Sequence, residues 1–128
     1  MQALPRLLRA APLFAGCLAP ALPATAASLP VIREAWISAP DEGEEMDSLA
    51  AWHPADGHAW LVASAKETQR LLLFDADSGV RIGTSGGPGE GPGQFRRPNG
   101  VAVAGDLLFV VERDGPRVQV LDLPGFAV

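Results

Sequence analysis

The sequence predicts an all-β chain built from a repeated unit of short strands. Three observations carry that expectation: short apolar stretches alternate with polar turns from Leu49 onward, no convincing helical pattern follows the first 27 residues, and the second half of the chain repeats the first. Laid one over the other, WLVASAKETQRLLLFD (Trp60 to Asp75) and LLFVVERDGPRVQVLD (Leu107 to Asp122) keep an offset of 47 throughout. Leu61 then meets Leu108, Lys66 meets Arg113, Glu67 meets Asp114, Arg70 meets Arg117 and Asp75 meets Asp122. Each copy is an apolar strand, a charged turn, and a second apolar strand closed by aspartate.

In chain order, the first segment stands apart. MQALPRLLRAAPLFAGCLAPALPATAA has Arg6 and Arg9 near its start, an alanine- and leucine-rich middle and small residues at Ala24, Ala26 and Ala27. That is the layout of an export signal over 1–27, and its apolar run is too short and too proline-rich to serve as a membrane span, which takes about 20 apolar residues. Phe14-Ala15-Gly16-Cys17 is similar to a bacterial lipobox, so two outcomes stay open: cleavage near Ala26 or Ala27, or lipidation at Cys17. The expected location is secreted or periplasmic, or alternatively the cell envelope through a lipid on Cys17. The single cysteine allows no disulfide within the chain.

An acidic lead-in, 28–46, comes next. The first repeated unit covers 47–86, with strands at 49–52, 60–65, 70–75 and 81–86; Asp77-Ser78-Gly79 supplies a hairpin turn before the last. A Gly/Pro-rich connection occupies 87–98, and the second unit covers 99–128, with strands at 100–104, 107–112 and 117–122. Asp47 to Trp52 aligns with Asn99 to Ala104 at an offset of 52, and the change from 47 is absorbed in the turn HPADGHA against the shorter AGD. Insertions belong in turns. Units of roughly 40–50 residues, each a run of short hairpin-connected strands, predict a β-propeller; an ordinary β-sandwich has similar turn spacing but no such repeat. A propeller closes with roughly 4–8 blades, so a chain with about two is expected to be part of an incomplete ring, an N-terminal fragment or truncated product.

With Arg6 and Arg9 set aside, eight Lys/Arg face fifteen Asp/Glu. Such an acidic chain has no basis for nucleic-acid binding, which depends on cationic contacts to phosphates, but it permits a hard cation. The stretch GGPGEGPGQFRRPNGVAV invites comparison with phosphate loops. Its glycines alternate at Gly87, Gly89, Gly91 and Gly93, which matches neither G-x-G-x-x-G nor a P-loop, and neither a lysine nor a helix follows. It is expected to connect two blades. His53 and His58 lack cysteine partners for zinc, and Asp75-Ala76-Asp77-Ser78-Gly79 has its glycine one place early for a calcium loop. Trp36, Trp52 and Trp60 are expected to pack the blades.

Two resemblances add to this. Gly89–Val103, GEGPGQFRRPNGVAV, resembles the signature of NHL-type propeller repeats, in which Phe95 anchors the loop and Pro98 ends it. DEGEEMDSLAAWHPADGHAWLVASAKETQRLLLFDADSG is similar to the N-terminal blade of β-propeller phytases and their phytase-like relatives, secreted Ca²⁺-dependent phosphomonoesterases. Asp47 and Trp52 fall on that family's pattern, Lys66 on its phosphate-contacting lysine and Arg113 on an arginine after the second strand of the next blade. Met46, Leu49 and Ala102 depart from it, and two of the expected Ca²⁺ ligands are thereby absent.

The resemblance implies Lys66 and Arg113 as phosphate-binding residues. The repeat independently ranks them together, since equivalent positions of successive blades lie at one height around a propeller axis. Asp47, Asn99 and Glu112 are the expected oxygen ligands for Ca²⁺, with phytate or another phosphomonoester as substrate. The chain is expected to be inactive at this length. The alternative is a non-catalytic NHL-type propeller that binds protein or carbohydrate in the envelope.

Overall fold

The computed structural model describes residues 29–55 and 57–128. The expected export signal and Cys17 lie outside the described residues. Every strand among the described residues belongs to the unit Arg33–Val128. Among the described residues there is no helix, and none long and apolar enough to cross a membrane.

Seven strands form two antiparallel sheets. β1 (Met46–Trp52), β2 (Trp60–Ala65), β3 (Arg70–Asp75) and β4 (Arg81–Ser85) lie side by side in chain order, and β5 (Pro98–Ala104), β6 (Leu107–Glu112) and β7 (Val118–Asp122) do the same. All seven expected strands are present. The first strands of both units begin earlier than their apolar pattern does, at Met46 and Pro98, because the main chain pairs beyond the last apolar side chain.

The repeat is exact in pairing as well as in spacing. In the first sheet Met46 pairs with Ala65 and Leu49 with Ala63, with a bulge between; in the second Pro98 pairs with Glu112 and Val101 with Val110, again with a bulge between. Offsets of 52 and 47 carry one pairing onto the other. A residue in the left-handed region precedes each bulge, Glu45 at φ 48° and Arg97 at φ 50°. Bulges bend a strand and re-aim its side chains, so the same bend recurs in both units.

Turn chemistry explains the hairpins. Gly105, at φ 59°, opens the two-residue turn between β5 and β6. Between β3 and β4, Asp75 accepts hydrogen bonds from the Ser78 amide (2.8 Å) and hydroxyl (2.6 Å), which hold its carboxyl below its ordinary pKa. Trp36 lies against that turn and donates its indole N–H to the Ala76 carbonyl at 3.0 Å. The connection after β4 folds around Phe95, which is wholly buried. Its amide donates to the Gly87 carbonyl at 2.8 Å, and a Cβ on Gly86 would stand 2.3 Å from its ring.

One core joins the sheets. Trp52, Val62, Leu71 and Leu73 from the first meet Leu108, Val110 and Leu121 from the second, with Phe95 and Leu123 filling the ends. Trp52 and Trp60 meet edge to face, their ring centroids 5.1 Å apart, and the Trp52 indole donates to Asp106 at 3.0 Å. Hydroxyls add a directional link between β1, β2 and β5. The buried Ser64 hydroxyl accepts from the Ser48 amide (3.1 Å) and donates to the Asn99 carbonyl (2.9 Å), while the Ser48 hydroxyl accepts from the Val101 amide (3.1 Å).

Candidate functional site

All five candidate residues lie at one end of the two sheets, where β1 and β5 begin and β2 and β6 finish. Asp47 and Asn99 occupy the two equivalent bulges. Lys66 and Arg113 each stand one residue past the second strand, and their main chains are held alike: the Lys66 amide donates to the Glu45 carbonyl (3.2 Å) and the Arg113 amide to the Arg97 carbonyl (2.9 Å). One residue on, the Glu67 and Asp114 amides donate to the carbonyls of Glu44 and Arg96. A repeated backbone therefore aims two cations from one end.

Their side chains differ. Lys66 Nζ lies 3.2 Å from Asp47 Oδ1, the lysine half-buried and the aspartate exposed. Arg113 is 60% exposed, with Nε 3.8 Å from the neighbouring Asp114 carboxylate, too far for a hydrogen bond. The main-chain carbonyl of Asn99 accepts from the Ser64 hydroxyl. Glu112 points into the protein and accepts hydrogen bonds from Arg117 Nε (2.6 Å), Gln119 Nε2 (2.8 Å) and the Arg96 amide (2.9 Å). Burial pushes its carboxyl up, and these three donors with the Arg117 charge more than offset that, holding it below its ordinary pKa.

Glu44 does the corresponding work in the first unit. Burial pushes its carboxyl up, but hydrogen bonds from Arg70, Thr68 and Arg81 outweigh it and bring the pKa to about 2. Arg70 and Arg117 are equivalent in the repeat, while their carboxylates come from different places, one before β1 and one at the end of β6. Glu112 is thus the second unit's clasp.

Arg97 is the residue that spacing alone passes over. Its Nη2 reaches Glu45 Oε2 at 3.2 Å, tying the start of β5 to the start of β1, and its Nε is 3.8 Å from Asp114. That Nε is buried without a hydrogen-bond partner. Carrying the offset of 52 two places upstream of Asp47 aligns Glu45 with Arg97, opposite charges at equivalent positions, which is the signal that points to the pair.

Ca²⁺ takes six to eight oxygens, as a rule. Here the Glu112 carboxylate is saturated by an arginine and two further donors, and the Asp47 carboxylate faces a lysine. The residues present do not make a calcium cage. At the opposite end of the first sheet His58, Asp75 and Asp77 gather within 4.8 Å, but His58 and Asp77 are exposed and Asp75 is engaged in its turn.

No protein-family model, curated protein or solved structure matches this chain. As an arrangement the strand-end residues offer an anion two cations on equivalent backbones, Lys66 as a point charge and Arg113 as a planar fork, with the buried Arg97 Nε between the sheets.

Proposed function

We propose that the two sheets are consecutive blades of an exported, phytase-like β-propeller, and that their shared strand end binds the phosphate groups of an inositol phosphate. The single observation that supports this is the repeated backbone that presents Lys66 and Arg113 from equivalent positions of adjacent sheets. Arg113 is free to grip two phosphate oxygens at once, and Lys66, oriented by Asp47, supplies a second positive charge. Charges aimed at the equatorial oxygens of a phosphoryl group also favour its transfer. With Glu112 held by Arg117, Gln119 and the Arg96 amide and Asp47 facing Lys66, binding without turnover is the expected behaviour of this chain.

The test is titration calorimetry of inositol hexakisphosphate into the full chain, with Ca²⁺ added and then chelated, alongside an assay of released phosphate. Arg113→Ala and Lys66→Ala should each weaken binding about tenfold, as expected for loss of a charge-assisted contact. Absence of binding at any Ca²⁺ level, or binding indifferent to both substitutions, would sink the proposal. A second reading, a non-catalytic NHL-type propeller that binds protein or carbohydrate, is favoured by the commitment of Glu112 to its clasp. It predicts no binding of inositol hexakisphosphate that depends on Lys66 or Arg113.

A further inference from the structure

The repeat also determines which sheet face meets which. Alternate residues of a strand share a face. On the first sheet Trp52, Val62, Leu71 and Leu73 share the face buried against the second, and on the second Val101, Leu108, Val110 and Leu121 share the face that receives them. The rear of one sheet therefore packs on the front of the next. Carried along the repeat, the rear of the second sheet presents Phe109, Val111, Val118 and Val120, and the front of the first presents Leu49, Leu61, Ala63 and Phe74. Among the described residues neither face has a sheet against it: Val111 (46%), Val118 (55%) and Val120 (41%) are exposed on the second, and on the first Leu49 (58%) is exposed beside the already buried Ala63 and Leu72.

These two open faces fit each other in size, polarity and charge. Phe109 holds the place of Val62, and Ala63 that of Val110, so a larger side chain on one face answers a smaller one on the other. Ala63, with Leu49, Leu61 and Phe74, lines a cleft of about 260 Å³ walled by Trp36. Val111 and Gly100 replace the hydroxyls of Ser64 and Ser48, so the rear face of the second sheet is apolar from Gly100 and Val111 across to Val120, with Asp122 at its far end. At the strand ends Arg97 takes the place of Glu45, and Glu45 that of Arg97, so the opposite-charge contact seen within the chain recurs between copies.

We propose that a second copy of this chain docks head to tail, the rear of its second sheet on the front of this copy's first sheet, repeating the contact already made within the chain. Such a contact is heterologous, and it either closes a ring or propagates. The association does not depend on the phosphate chemistry proposed above.

Sedimentation of the full chain across a dilution series gives the first answer. A mass rising with concentration to a multiple of 13.4 kDa is expected, and a 13.4 kDa species at every concentration overturns the proposal. Direction is tested with Leu49→Lys and Val120→Lys, each on one open face at an exposed position, with strand content checked by circular dichroism. Each variant alone should be monomeric; mixed in equal amounts they should form a complex of two chains and nothing larger, since one intact face of each kind remains. A variant that associates like the unaltered chain, or a mixture that stays monomeric or grows beyond two chains, refutes it. Leu49→Asn and Val120→Asn, which disturb less, carry the same test if a lysine variant loses its strand signal.

Discussion

Replacing Glu44 by glutamine should remove much of the chain's acid sensitivity. Glu44 is 5% exposed, and its carboxylate lies 2.7 Å from Arg70 and 2.9 Å from Arg81. A fall from its ordinary 4.5 to about 2 corresponds to about 3 kcal/mol of stability at neutral pH. Both arginines are about one-third exposed, and solvent screening there reduces the expected figure to about 1–3 kcal/mol. The folded-state pKa lies below the unfolded one, so this stability is complete above pH 4.5 and is lost as pH falls toward 2. Urea unfolding of both proteins through that window measures it. At neutral pH Glu44→Gln should be the less stable protein, and the gap should close on acidification. Glu112 and Asp75, also held low, titrate in both proteins and cancel in the comparison. Parallel loss of stability in the two proteins would show that Glu44 is not the group that titrates.

Three further substitutions probe the core and its connections, each by chemical denaturation. Ser64→Ala strips the partner from the Ser48 amide and the Asn99 carbonyl and should cost about 1–3 kcal/mol; a loss below a few tenths would mean water replaces the hydroxyl. Gly86→Ala forces a side chain onto a residue at φ 80° and should cost about 1–3 kcal/mol from the backbone alone, more once the contact with Phe95 is added. Phe95→Ala empties the centre of the connection and should cost about 3–5 kcal/mol; an unchanged midpoint would show that the loop does not depend on its anchor.

Strand positions were legible because apolar alternation and turn residues are local signals, and the offsets of 47 and 52 located equivalent residues before any coordinates. Asp47, Asn99, Lys66 and Arg113 stand at equivalent strand ends, because register in a hairpin follows from its turn and its buried face. Side-chain commitments were not legible. Glu112 looked like an oxygen ligand because its position at a strand end is all that sequence reports, whereas its partners Arg117 and Gln119 come from β7 and reach it only after the hairpin closes. Arg97 and Glu45 meet across two sheets, and that depends on how the sheets adjoin. The hydroxyls of Ser48 and Ser64 gave no signal either, since serine in a strand ordinarily reads as a neutral choice.

Those two serines have a consequence for how the molecule can be watched in solution. Strand ladders report on fraying hairpin by hairpin, but the Val101 amide, in the second sheet, donates to the Ser48 hydroxyl in the first. Its exchange with deuterium is a gauge of the sheets parting, legible even while every hairpin remains closed.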